Sequence, residues 1–362
     1  MPTLSADVPP PLREADMAAC RGLLKTGSRS FHAASRFLPY NCRDAATALY
    51  AFCRLADDAV DDSGAPHLAL EMLHGRLDAI YARAPEDYAA DRALAFVVVR
   101  YGLPRGLLDA LLEGFAWDAA EREYETLSEV LDYAARVAGS VGVMMAVIMG
   151  IRDASVLARA ADMGAAMQLT NISRDVGEDA RNGRLYLPAA WLREAGIDPS
   201  AFVRAPQHSA GLTVVTRRLL TVADKLYRRA DAGLTCLPLR CRPGMYAARL
   251  LYSAIGNEIQ RLDYDSTNQR AVVPAHRKLW HLLRLSGLPL LDADAVSAPV
   301  LRENRFLVEA VNSHPGPRVS SLVEHEGKVA WMLALLQDLE QRERSSGALD
   351  ARGERDGRSA TG

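Results

Sequence analysis

Apolar residues along most of this chain return at intervals of three and four, as in Leu107, Leu108, Leu111, Leu112 and Phe115, or Leu219, Leu220, Ala223, Leu226 and Tyr227. That period lines one face of an α-helix, whereas the alternation that marks a half-buried strand is scarce. Breaks rich in glycine and proline fall at 64–66, 102–104, 183–188, 196–199, 238–243 and at Pro274, which predicts about ten helices. None of the breaks is long enough to be a linker. The expectation is a single all-α domain over 16–341, with a proline-rich lead-in at 1–15 and a polar, glycine-rich tail at 342–362 that has too little to bury to be ordered.

Charge and cysteine usage narrow the function. With 43 basic and 45 acidic side chains the formal charge is −2, so no overall positive field exists to hold nucleic acid. Five cysteines without a CxxC pair argue against a disulfide framework and a structural zinc site, and for reduced thiols in a cytoplasmic protein. The first residues carry neither the basic start nor the apolar core of a secretory signal. The most apolar run, 141–151, is far short of the roughly 20 residues of a membrane span and reads as a buried helix.

Two acidic segments carry the chemistry. In Tyr50-Ala-Phe-Cys-Arg-Leu-Ala-Asp-Asp-Ala-Val-Asp-Asp62, residues Tyr50, Arg54, Asp57 and Asp61 share a narrow helical stripe beside the apolar stripe of Leu49, Cys53, Ala56 and Val60. In Gln168-Leu-Thr-Asn-Ile-Ser-Arg-Asp-Val-Gly-Glu-Asp179, residues Asn171, Asp175 and Asp179 again share one face, with Gln168 close to it. Both segments run into glycine and other breakers, so their carboxylates crowd helix C-termini, where the macrodipole disfavours anions and carboxylates one turn apart repel. A segment built only for stability would avoid this. Oxygen-only ligands suit magnesium or manganese, with substrate phosphates completing the shell, so two such helices could clamp a diphosphate through several ions. The plain alternative is a pair of solvated helix ends with local ion pairs, Asp57 to Arg54 and Asp175 to Arg174.

These residues resemble the squalene and phytoene synthase family of head-to-head prenyl synthases. The resemblance is carried by Gly27-Ser-Arg-Ser-Phe31, by 48–61, by 168–188, and more weakly by 246–278, and it covers roughly 20–285. It implies an all-α isoprenoid-synthase fold with an apolar cavity between the helices and the two acidic motifs facing each other at its mouth. It implies metal ligands at Asp57, Asp61, Asn171, Asp175 and Asp179, and diphosphate contacts from Arg54 and Arg174. Ser28, Arg29, Ser30 and Phe31 match a family position that meets the second diphosphate, although Ser28 is also a good helix N-cap. Tyr50 lies one helical turn before Arg54 on the functional stripe, and Tyr252 corresponds to a family tyrosine near the cavity that Gln168 also lines. Phenols there could hydrogen-bond diphosphate and their ring faces stabilise a carbocation, with ordinary core packing the alternative for each. Among the basic residues near the weaker match, Arg277 aligns best with a diphosphate-binding arginine.

The implied activity is condensation of two geranylgeranyl diphosphates through prephytoene diphosphate, the first committed step of carotenoid synthesis, with several Mg2+ or Mn2+ ions and no nicotinamide. A lipid product also implies contact with a membrane surface or hand-off to the next carotenoid enzyme. Squalene-type synthases, using farnesyl diphosphate on the same scaffold, and a non-catalytic helical protein that binds prenyl diphosphates are the competing readings.

Overall fold

Several helices begin where a side chain caps the free amides of the first turn, as at Ser28, Thr126, Asp153 and Ser209, or where a proline removes one of them, as at Pro66. The computed structural model describes residues 12–61, 63–283, 296–314 and 316, with the side chains of 29, 30, 279 and 281–283 outside that set. Helix α1 spans Glu14–Gly27, α2 Arg29–Ser35, α3 Tyr40–Asp61, α4 Pro66–Tyr81, α5 Ala89–Tyr101 and α6 Arg105–Ala119. Ser28 Oγ accepts from the amide of Phe31 at 3.2 Å, so the capping role anticipated for Ser28 is present. Helix α7, Leu127–Ala134, opens with a capping box between Thr126 and Glu129. A π-helical turn, Ala135–Gly139, then joins it to α8, Ser140–Ile148.

The longest helix, α9 at Ala154–Arg181, is capped by Asp153, whose carboxylate accepts from the amides of Ser155 and Val156 at 3.0 and 3.1 Å. After it come α10 Ala189–Glu194, α11 Pro199–Arg204, α12 Ala210–Leu234, α13 Arg242–Arg261, α14 Ala275–Leu283 and α15 Arg305–Asn312. All six anticipated breaks separate helices. The described residues hold more helices than the ten expected, because the short α2, α10 and α11 carry no period of their own. No strand occurs among the described residues.

Helix α9 is the axis of the bundle, packed against α12 along one side and against α8, the π turn and α13 on the others. Small residues make the approach to the π turn possible. A Cβ on Gly164 would lie 2.1 Å from the carbonyl oxygen of Ala138, a contact no side chain survives. The run at 141–151 is the buried helix expected, but it is part of a longer one: through the π turn it is continuous with α7, giving a 22-residue apolar helix, Leu127–Ile148, most of which is buried inside the protein. Its length alone matches a membrane span, but its burial and its place in the bundle are those of a core helix. All described residues fall in one folded unit, and the tail at 342–362 lies outside them.

Candidate active site

Helices α3 and α9 each end in their acidic motif, and both ends meet at the rim of one cavity. Along α3, Tyr50 and Cys53 line the cavity and Asp57 stands one turn further on; along α9, Gln168 and Asn171 line it and Asp175 stands one turn beyond. The α9 terminus then reverses sharply. Gly183 takes φ +78°, a conformation open to glycine, and the amide of Arg184 returns to the carbonyl of Asp179 at 2.9 Å. That turn delivers the Arg184 guanidinium to Asp61 at 2.7 Å, joining the two motifs directly. Asp62 lies outside the described residues.

The other arginines distribute differently from expectation. Arg54 sits 3.4 Å from Asp57 but 2.6 Å from Asp58, so its closer partner is a carboxylate beside the stripe of Tyr50, Arg54, Asp57 and Asp61. Arg174 pairs in bidentate fashion with its neighbour Asp175, at 2.9 and 2.6 Å. Arg277, selected from the sequence as a diphosphate ligand, instead donates to the buried carboxylate of Glu258 at 2.7 and 2.5 Å. Its place at the rim is taken by Arg270, which donates to Asp175 at 2.9 Å and lies 3.4 Å from Glu178. The loop carrying Arg270 is pinned to α9 where the amide of Gly177 donates to Ser266 O at 3.0 Å, and a Cβ on Gly177 would sit 2.3 Å from Thr267 O.

A carboxylate outside both motifs completes the rim. Asp118, on α6, accepts from Tyr133 Oη at 2.8 Å and from Tyr186 Oη at 2.6 Å. Burial pushes it up to about 6 despite these two donors and the nearby Arg184. Asp57 rises to about 6 through burial and the charge of Asp61, and Asp179 to about 8 through burial and the charges of Asp175 and Glu178. Asp118 adds to the repulsion on both, so carboxylates from three elements share one field.

This excess of negative charge fits divalent cations. Among the described residues no three His, Cys, Asp or Glu side chains converge on a ready-made metal cage. The donor set is carboxylate and amide oxygen, which suits ions whose remaining ligands are substrate oxygens and water. A pH effect follows. Because Asp57 and Asp179 hold protons in the folded chain that the unfolded chain has lost, stability falls as pH rises from about 4 towards 8. In chelator, thermal melts should drop across that window, and the Asp57→Asn/Asp179→Asn double variant should flatten the slope.

Behind the rim lies an apolar cavity of about 1400 Å³, its open mouth included. Its walls include Val141, Met145, Met149, Met163, Leu234 and Met245, with Ser28, Phe31, Tyr50, Gln168, Asn171 and Tyr252 nearer the motifs. Phe31 and Tyr50 stack with ring centroids 5.6 Å apart. Burial raises the Tyr50 phenol, and Arg54, Tyr252 and Asp57 are all close enough to act on it. The residues anticipated as cavity lining are thus brought together, while the side chains of Arg29 and Ser30 lie outside the described set.

The sequence model of the family described as squalene/phytoene synthase matches residues 24–277. The chain belongs to that family. Among squalene/phytoene synthase relatives it is 48% identical over 343 residues to the phytoene synthase of Rhodobacter capsulatus, covering 92% of this chain and 98% of that protein. It is 52% identical over 278 residues to the phytoene synthase of Cereibacter sphaeroides, covering 74% and 78%. A crystal structure of a dehydrosqualene synthase in complex with ligand superposes with TM-score 0.69 at 29% identity, covering 75% of this chain and 96% of that one. The all-α isoprenoid-synthase fold expected from the resemblance is therefore present. Asp118, Arg184 and Arg270 are the rim residues that sequence reasoning did not select. Arg184 lies inside the 168–188 segment that carries the resemblance, and Arg270 lies in the weaker match that also holds Arg277; Asp118 has no local signal at all.

Proposed function

We propose that this chain is a prenyltransferase that joins two geranylgeranyl diphosphates head to head, through prephytoene diphosphate, to give phytoene and two diphosphates. The observation that carries the reading is the pair of carboxylate motifs, linked by Arg184 and Asp61, at the rim of a deep apolar cavity. Near-full-length similarity to a phytoene synthase supports the twenty-carbon substrate.

Asp57, Asp61, Asn171, Asp175 and Asp179 would hold Mg2+ or Mn2+, which when bound supplies positive charge to a departing diphosphate. Arg54 and Arg174 are placed to exchange carboxylate partners for diphosphate oxygens. Tyr50 sits between rim and cavity, where its hydroxyl can meet diphosphate and its ring face can stabilise an allylic cation. The apolar walls exclude water that would quench such a cation to an alcohol. The final proton can leave with diphosphate, so no histidine base is needed, and no reduction occurs that would require nicotinamide. We place the protein in the cytoplasm, meeting a membrane surface or the next carotenoid enzyme when it releases its product.

The test offers purified protein fifteen- and twenty-carbon prenyl diphosphates with divalent metal, with and without reduced nicotinamide, and reads hydrocarbons by mass spectrometry. Phytoene from the twenty-carbon substrate without reductant is the expected result. A thirty-carbon product would move the chain to the squalene branch, and no product from folded protein would leave only diphosphate binding.

A further inference from the structure

A charged residue lines the cavity deep behind the acidic rim. Arg159 is a cavity-lining residue of α9. It lies sixteen residues before Asp175, about 24 Å along the helix axis at the usual rise. It is only 1% exposed. Its guanidinium reaches Asp162 at 3.3 Å and the carbonyl of Pro299 at 3.4 Å. Its Nε and Nη1 have no hydrogen-bond partner among the described residues. Helix α12 is cut away to admit the stem, since a Cβ on Gly233 would lie 2.4 Å from the Cβ of Arg159.

Buried, unpartnered N–H groups cost stability, and a leucine would seal the same space without that cost. What a leucine lacks is an anchor. Asp162 fixes the guanidinium and is itself held by Arg229 Nε and Asn304 Nδ2, both at 3.0 Å. An arginine tied in this way cannot swing to another rotamer when a chain presses on it, whereas a free aliphatic side chain can. Of the α9 residues that line the cavity, only Val156 lies farther from the rim than Arg159.

We infer that Arg159 is a specificity-determining residue, a rigid floor that fixes the longest prenyl chain the cavity accepts. The inference rests on the prenyltransferase reading above. It acts on substrate length alone, not on ionisation at the rim.

The experiment compares wild-type protein with Arg159→Ala, supplying twenty- and twenty-five-carbon prenyl diphosphates with Mg2+ and measuring products by mass spectrometry. Wild type should use the twenty-carbon substrate almost exclusively. In Arg159→Ala the ratio of longer to shorter product should rise about tenfold, the scale of discrimination that pocket size provides. Asp162 keeps two partners in that variant, and circular dichroism reports whether the fold persists. An unchanged ratio in folded Arg159→Ala overturns the inference while leaving the proposed function standing. A second variant, Ala160→Leu, fills the lining beside Arg159 and should raise use of fifteen- over twenty-carbon diphosphate about tenfold. No shift there counts against the floor even if Arg159→Ala fails to fold. A wild type inactive on every prenyl diphosphate would overturn the function and the inference together.

Discussion

Asp57→Asn should lower kcat/KM for geranylgeranyl diphosphate by roughly a thousandfold while the helical signal and melting temperature stay at or above wild type. The variant keeps the shape of the side chain and removes only its charge. Asp57 is already pushed up to about 6 by burial and by Asp61, so the metal-free fold spends no attraction on that charge that it would miss. Arg54 retains Asp58 at 2.6 Å as its partner. The chemistry has no such substitute, because the carboxylate is needed when positive ions must be held beside a leaving diphosphate. Steady-state kinetics across a Mg2+ titration, paired with thermal melts, check the claim. Preserved turnover, or a collapsed melt, would return Asp57 to an ordinary surface or structural carboxylate.

Gly177→Ala should reduce kcat/KM about a hundredfold and lower the melting temperature by several degrees. The added methyl would stand 2.3 Å from Thr267 O, and relieving that overlap means moving the loop that carries Arg270 away from Asp175. Overpacking of this kind typically costs about 1–3 kcal/mol. Arg270→Ala should reproduce much of the kinetic loss with little effect on melting. Combining the two should add little further kinetic loss, because both remove one interaction. Fully additive losses would mean that Gly177 acts on the site by some route other than Arg270.

The fold and the two motifs were legible because their information is local. The three- and four-residue period of α6 and α12, the glycine and proline breaks, and the single stripes of Tyr50, Arg54, Asp57 and Asp61 or Asn171, Asp175 and Asp179 all follow from helix geometry within one segment. What was not legible depends on contacts between segments. Asp118 sits in α6 with no acidic neighbour in its own turn, and becomes part of the rim only because Tyr133 and Tyr186 aim at it from α7 and from the chain after α9. That Arg270 reaches Asp175 while Arg277 reaches Glu258 depends on the close approach of Gly177 to Ser266 and Thr267, which nothing near either arginine announces. Arg159 reads in sequence as one more basic residue of a helix, and only burial against Gly233 shows otherwise. The π turn at Ala135–Gly139 leaves no signature in a run of small and apolar residues.

That turn has a bearing on how such a cavity can change over generations. A π turn holds about one residue more than an α turn over the same sweep, so it absorbs that residue locally and leaves the helix beyond facing as it would without it. Val141 and Met145 therefore keep to the cavity wall although the chain before them carries a residue in excess. A codon can thus be gained or lost at this point with the wall beyond it unmoved, a freedom that an ordinary α-helical stretch lacks.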